Sequence, residues 1–131
     1  MMIKEMDIRC HLYGDEFSPN RVEELTGITL ENKIEVGEIA TKGRYRGKPT
    51  PYGNGELIPL SKYKETNDFG LEWIALTIFE HLDVFRKCGA ENIELVVGVF
   101  HEGQCNFSLP PKAMKLIGEM GIELQVSCYA S

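Results

Sequence analysis

The sequence predicts an α+β fold in a single domain covering residues 1–131. The expected architecture has two layers, a largely antiparallel sheet with three helices on one face, in the order β-α-β-β-α-β-β-α-β. Three observations predict it. Leu71, Ile74, Ala75, Ile78, Leu82 and Phe85 form one apolar stripe at helical spacing within Asn67 to Gly89, and such a stripe needs a sheet to lie on. Several short segments alternate apolar and polar residues with the period of half-buried strands. Two further helical segments each run into Gly-Ile, a left-handed stop followed by its hydrophobic contact.

In the first strand, Met6, Ile8, Cys10 and Leu12 alternate with Asp7, Arg9, His11 and Tyr13. Gly14 and Asp15 end it, and Phe17-Ser18-Pro19 starts a helix. Ser18 is the cap, Pro19 takes the first helical position, Phe17 packs on Val22, and Gly27-Ile28 is the stop. Lys33 to Ala40 reads as a second strand with a bulge at Gly37. Thr41 to Gly55, rich in glycine and proline, reads as a long loop. Glu56 to Lys62 reads as a third strand, which Pro59 places at a sheet edge.

The central helix is expected from Asn67 to Gly89, with Asn67 or Asp68 as cap and Arg86, Lys87 and Gly89 as its positive last turn and stop. Trp73, Leu76, Phe79 and Val84 fall outside its stripe, so the helix is either covered on two sides or leaves an apolar strip for a partner. Ile93 to Leu109 reads as a hairpin turning at His101-Glu102-Gly103, with Cys105, Phe107 and Leu109 inward. Pro110-Pro111 opens the last helix, with Ala113, Leu116, Ile117 and Met120 on one face. After the stop at Gly121, Ile122 to Ala130 closes the domain as a half-buried strand.

The chain has 131 residues, 43% of them apolar and 26% charged. That length buries a sizeable core with neither metal nor disulfide. Its apolar runs are too short to cross a bilayer, and the start lacks the apolar block of a secretory signal, so the expected compartment is the cytoplasm. Cys10, Cys88, Cys105 and Cys128 contain no C-x-x-C pair and read as reduced cysteines, with Cys10, Cys105 and Cys128 inward on strands. A net charge of −6 disfavours nucleic acid and anionic membrane as partners of the whole surface and favours a basic one.

Certain residues are similar to those of a known family. They are Tyr13-Gly14-Asp15 with Phe17-Ser18-Pro19, then Leu25, Gly27 and Ile28, then Gly37-Glu38, and finally Gly121-Ile122, Leu124 and Tyr129. In their order and spacing they resemble the bacterial family of domain of unknown function 4279, over nearly the whole chain. Members usually carry a tryptophan on the strand before the central helix, whereas Trp73 falls inside the predicted helix. The resemblance brings no activity. It implies at most a role like that of the small acidic immunity proteins, which bind and silence a toxin encoded beside them.

No catalytic, cofactor-binding or metal-binding residue is assigned. Asp15 and Glu16 fit turn chemistry better than an acid–base pair. His101-Glu102-Gly103-Gln104-Cys105 starts like the zinc protease motif H-E-x-x-H, but the second histidine is a cysteine and the setting is a hairpin. His11 and His81 stand alone in sequence, Ser18 is committed as a cap, and Cys105 has no base beside it.

Two surfaces remain. The sheet face away from the helices carries Arg9, His11, Tyr13, Phe100 and Tyr129, a polar surface with aromatic anchors. The loop Lys42-Gly43-Arg44-Tyr45-Arg46-Gly47-Lys48 holds four cations and no acid, and reads either, with Tyr45 and Tyr52, as a grip for a phosphate or a single strand of nucleic acid, or as a solvated loop on an acidic body. The expected function is therefore non-enzymatic: an immunity-type protein whose acidic surface and open sheet face mask a basic toxin. The alternative is a regulatory or nucleotide-binding domain acting through Lys42, Arg44, Arg46 and Lys48. A homodimer is compatible with either.

Overall fold

The structure, a computed structural model, describes residues 2–131. Its elements are β1 (Met2–Gly14), α1 (Pro19–Thr26), β2 (Glu31–Ile34), β3 (Gly53–Leu57), α2 (Ser61–Lys64), α3 (Leu71–Lys87), β4 (Asn92–Glu102), α4 (Pro111–Met120) and β5 (Leu124–Ala130). The fold is α+β, with four helices and a five-stranded mixed sheet in the order β2-β3-β1-β4-β5. β2 and β3 pair antiparallel, and β4 and β5 pair parallel. The chain divides into two compact units, and β1, α3 and β4 each continue from one into the other.

The first unit holds the chain up to Cys10 together with Ile58–Glu80 and Glu94–Ser131. Its core combines Ile8 and Cys10 of β1, Leu95, Val97 and Val99 of β4, Leu71, Ile74, Ala75 and Ile78 of α3, and Ala113 and Ile117 of α4, all buried. Five of the six residues of the apolar stripe read for the central helix are buried and Leu82 is half-buried, while the helix itself starts at Leu71 and not at Asn67. Asp68 supplies the cap: its carboxylate accepts the N–H of Gly70 at 3.1 Å and of Glu72 at 2.9 Å, two donors that the first turn leaves without helical partners. Partial burial alone would raise the Asp68 pKa, but the bonds from Glu72, Thr66 and Gly70 outweigh it and hold the carboxyl below its usual range.

The second unit holds His11–Leu57 and His81–Ile93. The α1 signals read from the sequence are realised. Ser18 Oγ accepts the Arg21 N–H at 3.2 Å, and Gly27 stops the helix at φ 76°. Glu35 supports that cap from outside: it accepts the Ser18 hydroxyl at 2.7 Å and the Asn20 N–H at 3.1 Å. Three glycines mark close backbone approaches. A Cβ on Gly53 would sit 1.7 Å from the Phe17 carbonyl oxygen, one on Gly14 2.3 Å from the Gly89 oxygen, and one on Gly89 2.4 Å from the Glu16 oxygen.

Several expectations are corrected. The hairpin over Ile93 to Leu109 does not form. β4 already lies between β1 and β5, and Ser131 N–H takes the His101 carbonyl, so no edge of β4 is free for residues 105–109. The chain leaves β4 at Gly103 (φ 63°), makes α4, and returns beside β4 as parallel β5, a β-α-β crossover where a hairpin was predicted. The Lys33 to Ala40 strand ends at Ile34. Gly37 (φ 85°) lies in a turn, and the segment folds back on itself through the Ile39–Pro49 bridge, with the Ala40 N–H donating to the Lys48 carbonyl and the Gly47 N–H donating to the Ala40 carbonyl. The Glu56 to Lys62 strand is replaced by β3, which lies inside the sheet; Pro59 follows it, and Ser61–Lys64 forms the extra helix α2. The final strand is mostly exposed, being at the sheet edge.

A candidate binding pocket lined by Tyr63, Trp73 and the sheet

A pocket of about 960 Å³ belongs wholly to the first unit. Met6, Ile8 and Val97 line it from the sheet, Trp73 and Leu76 from α3, and Phe107 and Leu109 from the segment before α4. Its volume is that of sites which hold drug-sized ligands or several side chains. Tyr63 of α2 stacks on Trp73 with ring centroids 5.1 Å apart at 20°, and Lys62 Nζ lies 5.1 Å from the Tyr63 ring. The two charged residues that line the pocket, Asp68 and Glu72, are both acidic, and Glu72 meets Lys112 at 3.6 Å in an exposed pair.

The backbone shapes two of the segments that line the pocket. Phe69 (φ 56°) and Gly70 (φ 93°) are consecutive left-handed residues, and they turn the chain sharply from α2 into α3. A Cβ on Gly70 would come within 2.8 Å of the Pro59 side chain, so the turn also packs tightly on the segment after β3. Gly103 releases the chain from β4, and Asn106 to Pro111 then pass along the pocket wall. This is why Phe107 and Leu109 alternate like a strand without being one: one side of an extended segment faces an apolar hollow.

The residues chosen from the sequence divide between the two units. In the first, Phe100 and Tyr129 stack at 5.0 Å and 19° while 39% and 52% exposed. Gly98 leaves room beneath both rings: a Cβ there would lie 3.6 Å from Phe100 and 3.8 Å from Tyr129 and Asp7. Arg9 holds Asp7 through two contacts from one guanidinium nitrogen at 2.8 and 2.9 Å and a third bond from Nε at 3.1 Å. In the second unit, His11 Nε2 lies 3.6 Å from a Glu56 oxygen, and the Tyr13 carbonyl accepts the Glu91 N–H.

Lys42, Arg44, Arg46 and Lys48 are all exposed on an ordered loop. Arg44 lies 5.7 Å from the Tyr45 ring, which meets Tyr52 edge-on at 6.2 Å. Among the described residues, none of the four makes an ion pair, although the chain carries 20 acids to 14 bases.

The cysteines separate by environment. All four are free; Cys10 and Cys88 are buried, Cys105 is half-buried and Cys128 exposed, which corrects the inward placement of the last two. Burial, with Glu94 adding to it, pushes the Cys10 thiol up to about 12. His101, next to the end of β4, is buried, and its Nδ1 lies 3.1 Å from the Gly103 carbonyl oxygen. Among the described residues, no group of three or more His, Cys, Asp or Glu is placed to hold a metal ion, and no helix is long and apolar enough to cross a membrane.

The pocket was not assigned from the sequence. Its signal was Trp73 and Leu76 standing off the helical stripe. The rest could not be seen, because the residues facing them come from β1, β4 and the 106–111 segment. Compared with known proteins, the chain matches no family model, no curated protein and no solved structure.

Proposed function

We propose that this protein is a non-enzymatic binding module of the immunity type, which seats apolar side chains of a basic protein partner in the Tyr63–Trp73 pocket and so silences a toxin. The observation that supports this reading is the pocket itself, an apolar hollow of about 960 Å³ whose lining charges, Asp68 and Glu72, are both acidic. Apolar anchors entering such a hollow supply affinity, and the −6 net charge accelerates encounter with a basic partner. The partner's class comes from the resemblance stated above. Phe100 and Tyr129, with Arg9 beside Asp7, extend the recognition surface of the first unit.

The test is co-expression with the protein encoded beside it. A stable complex and rescued growth are expected. Leu76→Asp, which places a charge at the pocket wall, should abolish both while the circular dichroism of the free protein is unchanged. Neighbours that are neither toxic nor bound would sink the reading.

A second reading places phosphate recognition at the basic loop, favoured by four exposed cations without ion pairs and by the Tyr45–Tyr52 pair. Binding of an oligonucleotide should then fall with salt at a log–log slope of about three to four. Arg44→Ala with Arg46→Ala should remove it; binding that persists in that double variant would exclude the loop.

A further inference from the structure

β5 ends the sheet, and among the described residues no strand pairs with its outer side. Its seven residues, Leu124–Ala130, include no charge and no proline, and all but Leu124 are exposed. Its register with β4 runs from Leu124 to Ala130 without a shift, so no bulge twists it away. The opposite edge is guarded. β2 has four residues, carries Glu31 and Lys33, holds Asn32 at φ 51°, and shifts register between Glu31 and Ile34. Soluble proteins protect edges by these devices, and β5 has none of them.

We propose that β5 is a self-association edge, pairing antiparallel with β5 of a second copy of this chain about a two-fold axis at Ser127. The direction of its free amides and the number of bonds they can form together select the register. Ser131 N–H bonds the His101 carbonyl on β4, and amide directions alternate along a strand. Gln125, Ser127 and Tyr129 therefore turn toward β4, while Leu124, Val126, Cys128 and Ala130 turn outward.

An axis at Ser127 sets Leu124 against Ala130 and Val126 against Cys128, so outward amides meet outward amides and about eight ladder bonds form. An axis through Val126 or Cys128 forms about six. Both strands are uncharged, so no like charges oppose each other despite the acidity of the chain. The pairing also covers apolar surface. Val126 and Cys128 stand on the same sheet face as their buried β4 partners Val97 and Val99, yet are themselves exposed. Isologous pairing closes at two copies, whereas pairing β5 with β2 would be heterologous and repeat head to tail.

Sedimentation equilibrium of the whole protein under reducing conditions tests this. Wild type should show a reversible monomer–dimer equilibrium. Val126→Lys, which charges the edge, and Cys128→Pro, which removes one outward donor and leaves the β4 ladder intact, should each give monomer at every concentration with unchanged circular dichroism. Ser127→Cys in a Cys128→Ser background should form a disulfide-linked dimer on mild oxidation. Wild-type Cys128 should not, because its diagonal separation of about 7–8 Å exceeds the usual reach of a disulfide. A wild type that stays monomeric, a dimer that survives both edge variants, assemblies larger than two, or a dimer without the Ser127→Cys cross-link would each overturn the proposal. Both edge variants keep the pocket residues, so losing the dimer while keeping toxin binding separates this surface from the functional site.

Discussion

The Tyr63 ring lies on the Trp73 ring, 5.1 Å between centroids, and so ties the single turn of α2 to the first turns of α3 in the lining of the pocket. Trp73 is the only tryptophan in the chain, so its emission reports this contact directly. Tyr63→Ala should shift that emission to longer wavelength as water reaches the indole, and should lower stability by about 1 kcal/mol beyond the area lost. Tryptophan fluorescence through a urea titration measures both.

Asp68→Ala should destabilise the protein by about 1 kcal/mol through loss of the cap. The effect has a defined pH window. The Asp68 carboxyl titrates below its ordinary 3.8, so its contribution is fully present above that value and disappears as the pH falls through the lower folded-state value. The stability gap between wild type and variant should therefore be constant near neutrality and narrow in acid. Paired denaturant curves at several pH values check it, and a gap that widens in acid would contradict the assignment.

Thiol alkylation should discriminate the four cysteines. Cys128 is exposed and should label first. Cys105 is half-buried, and desolvation and the neighbouring Cys128 thiol both raise its pKa, so it should follow. Cys10, buried and pushed up to about 12, and Cys88, raised chiefly by burial, should label only on unfolding. Mass spectrometry of timed iodoacetamide reactions gives the order.

Glu35 takes the Ser18 hydroxyl and the Asn20 N–H at the start of α1, so Glu35→Ala should cost about 1 kcal/mol and speed amide exchange in that helix first. Exchange rates unchanged over residues 19–26 would show that Ser18 caps unaided.

Local chemistry made much of the fold legible. Ser18-Pro19 and Gly27 bound α1, Leu71 to Phe85 carry the stripe of α3, and Gly121 stops α4 at φ 68°, because caps and periodicity act within a few residues. What failed depends on distant partners. Phe107 and Leu109 have the alternation of a strand, but β5 occupies the edge they would need. Pro59 signalled an edge strand that ends before reaching it. The exposure of Val126 and Tyr129 follows from a strand order that no local pattern encodes, and the pocket needed four separated segments to be brought together.

Gly14, Gly53 and Gly89 leave no space for even a methyl group where the backbone crosses itself in the second unit. Divergence can therefore replace most of the surface and much of the core, but at these three places it meets a wall. A descendant sharing this architecture would keep all three, in the same order and flanked by a helix start after the first. That sparse signature could trace kinship where overall identity has faded.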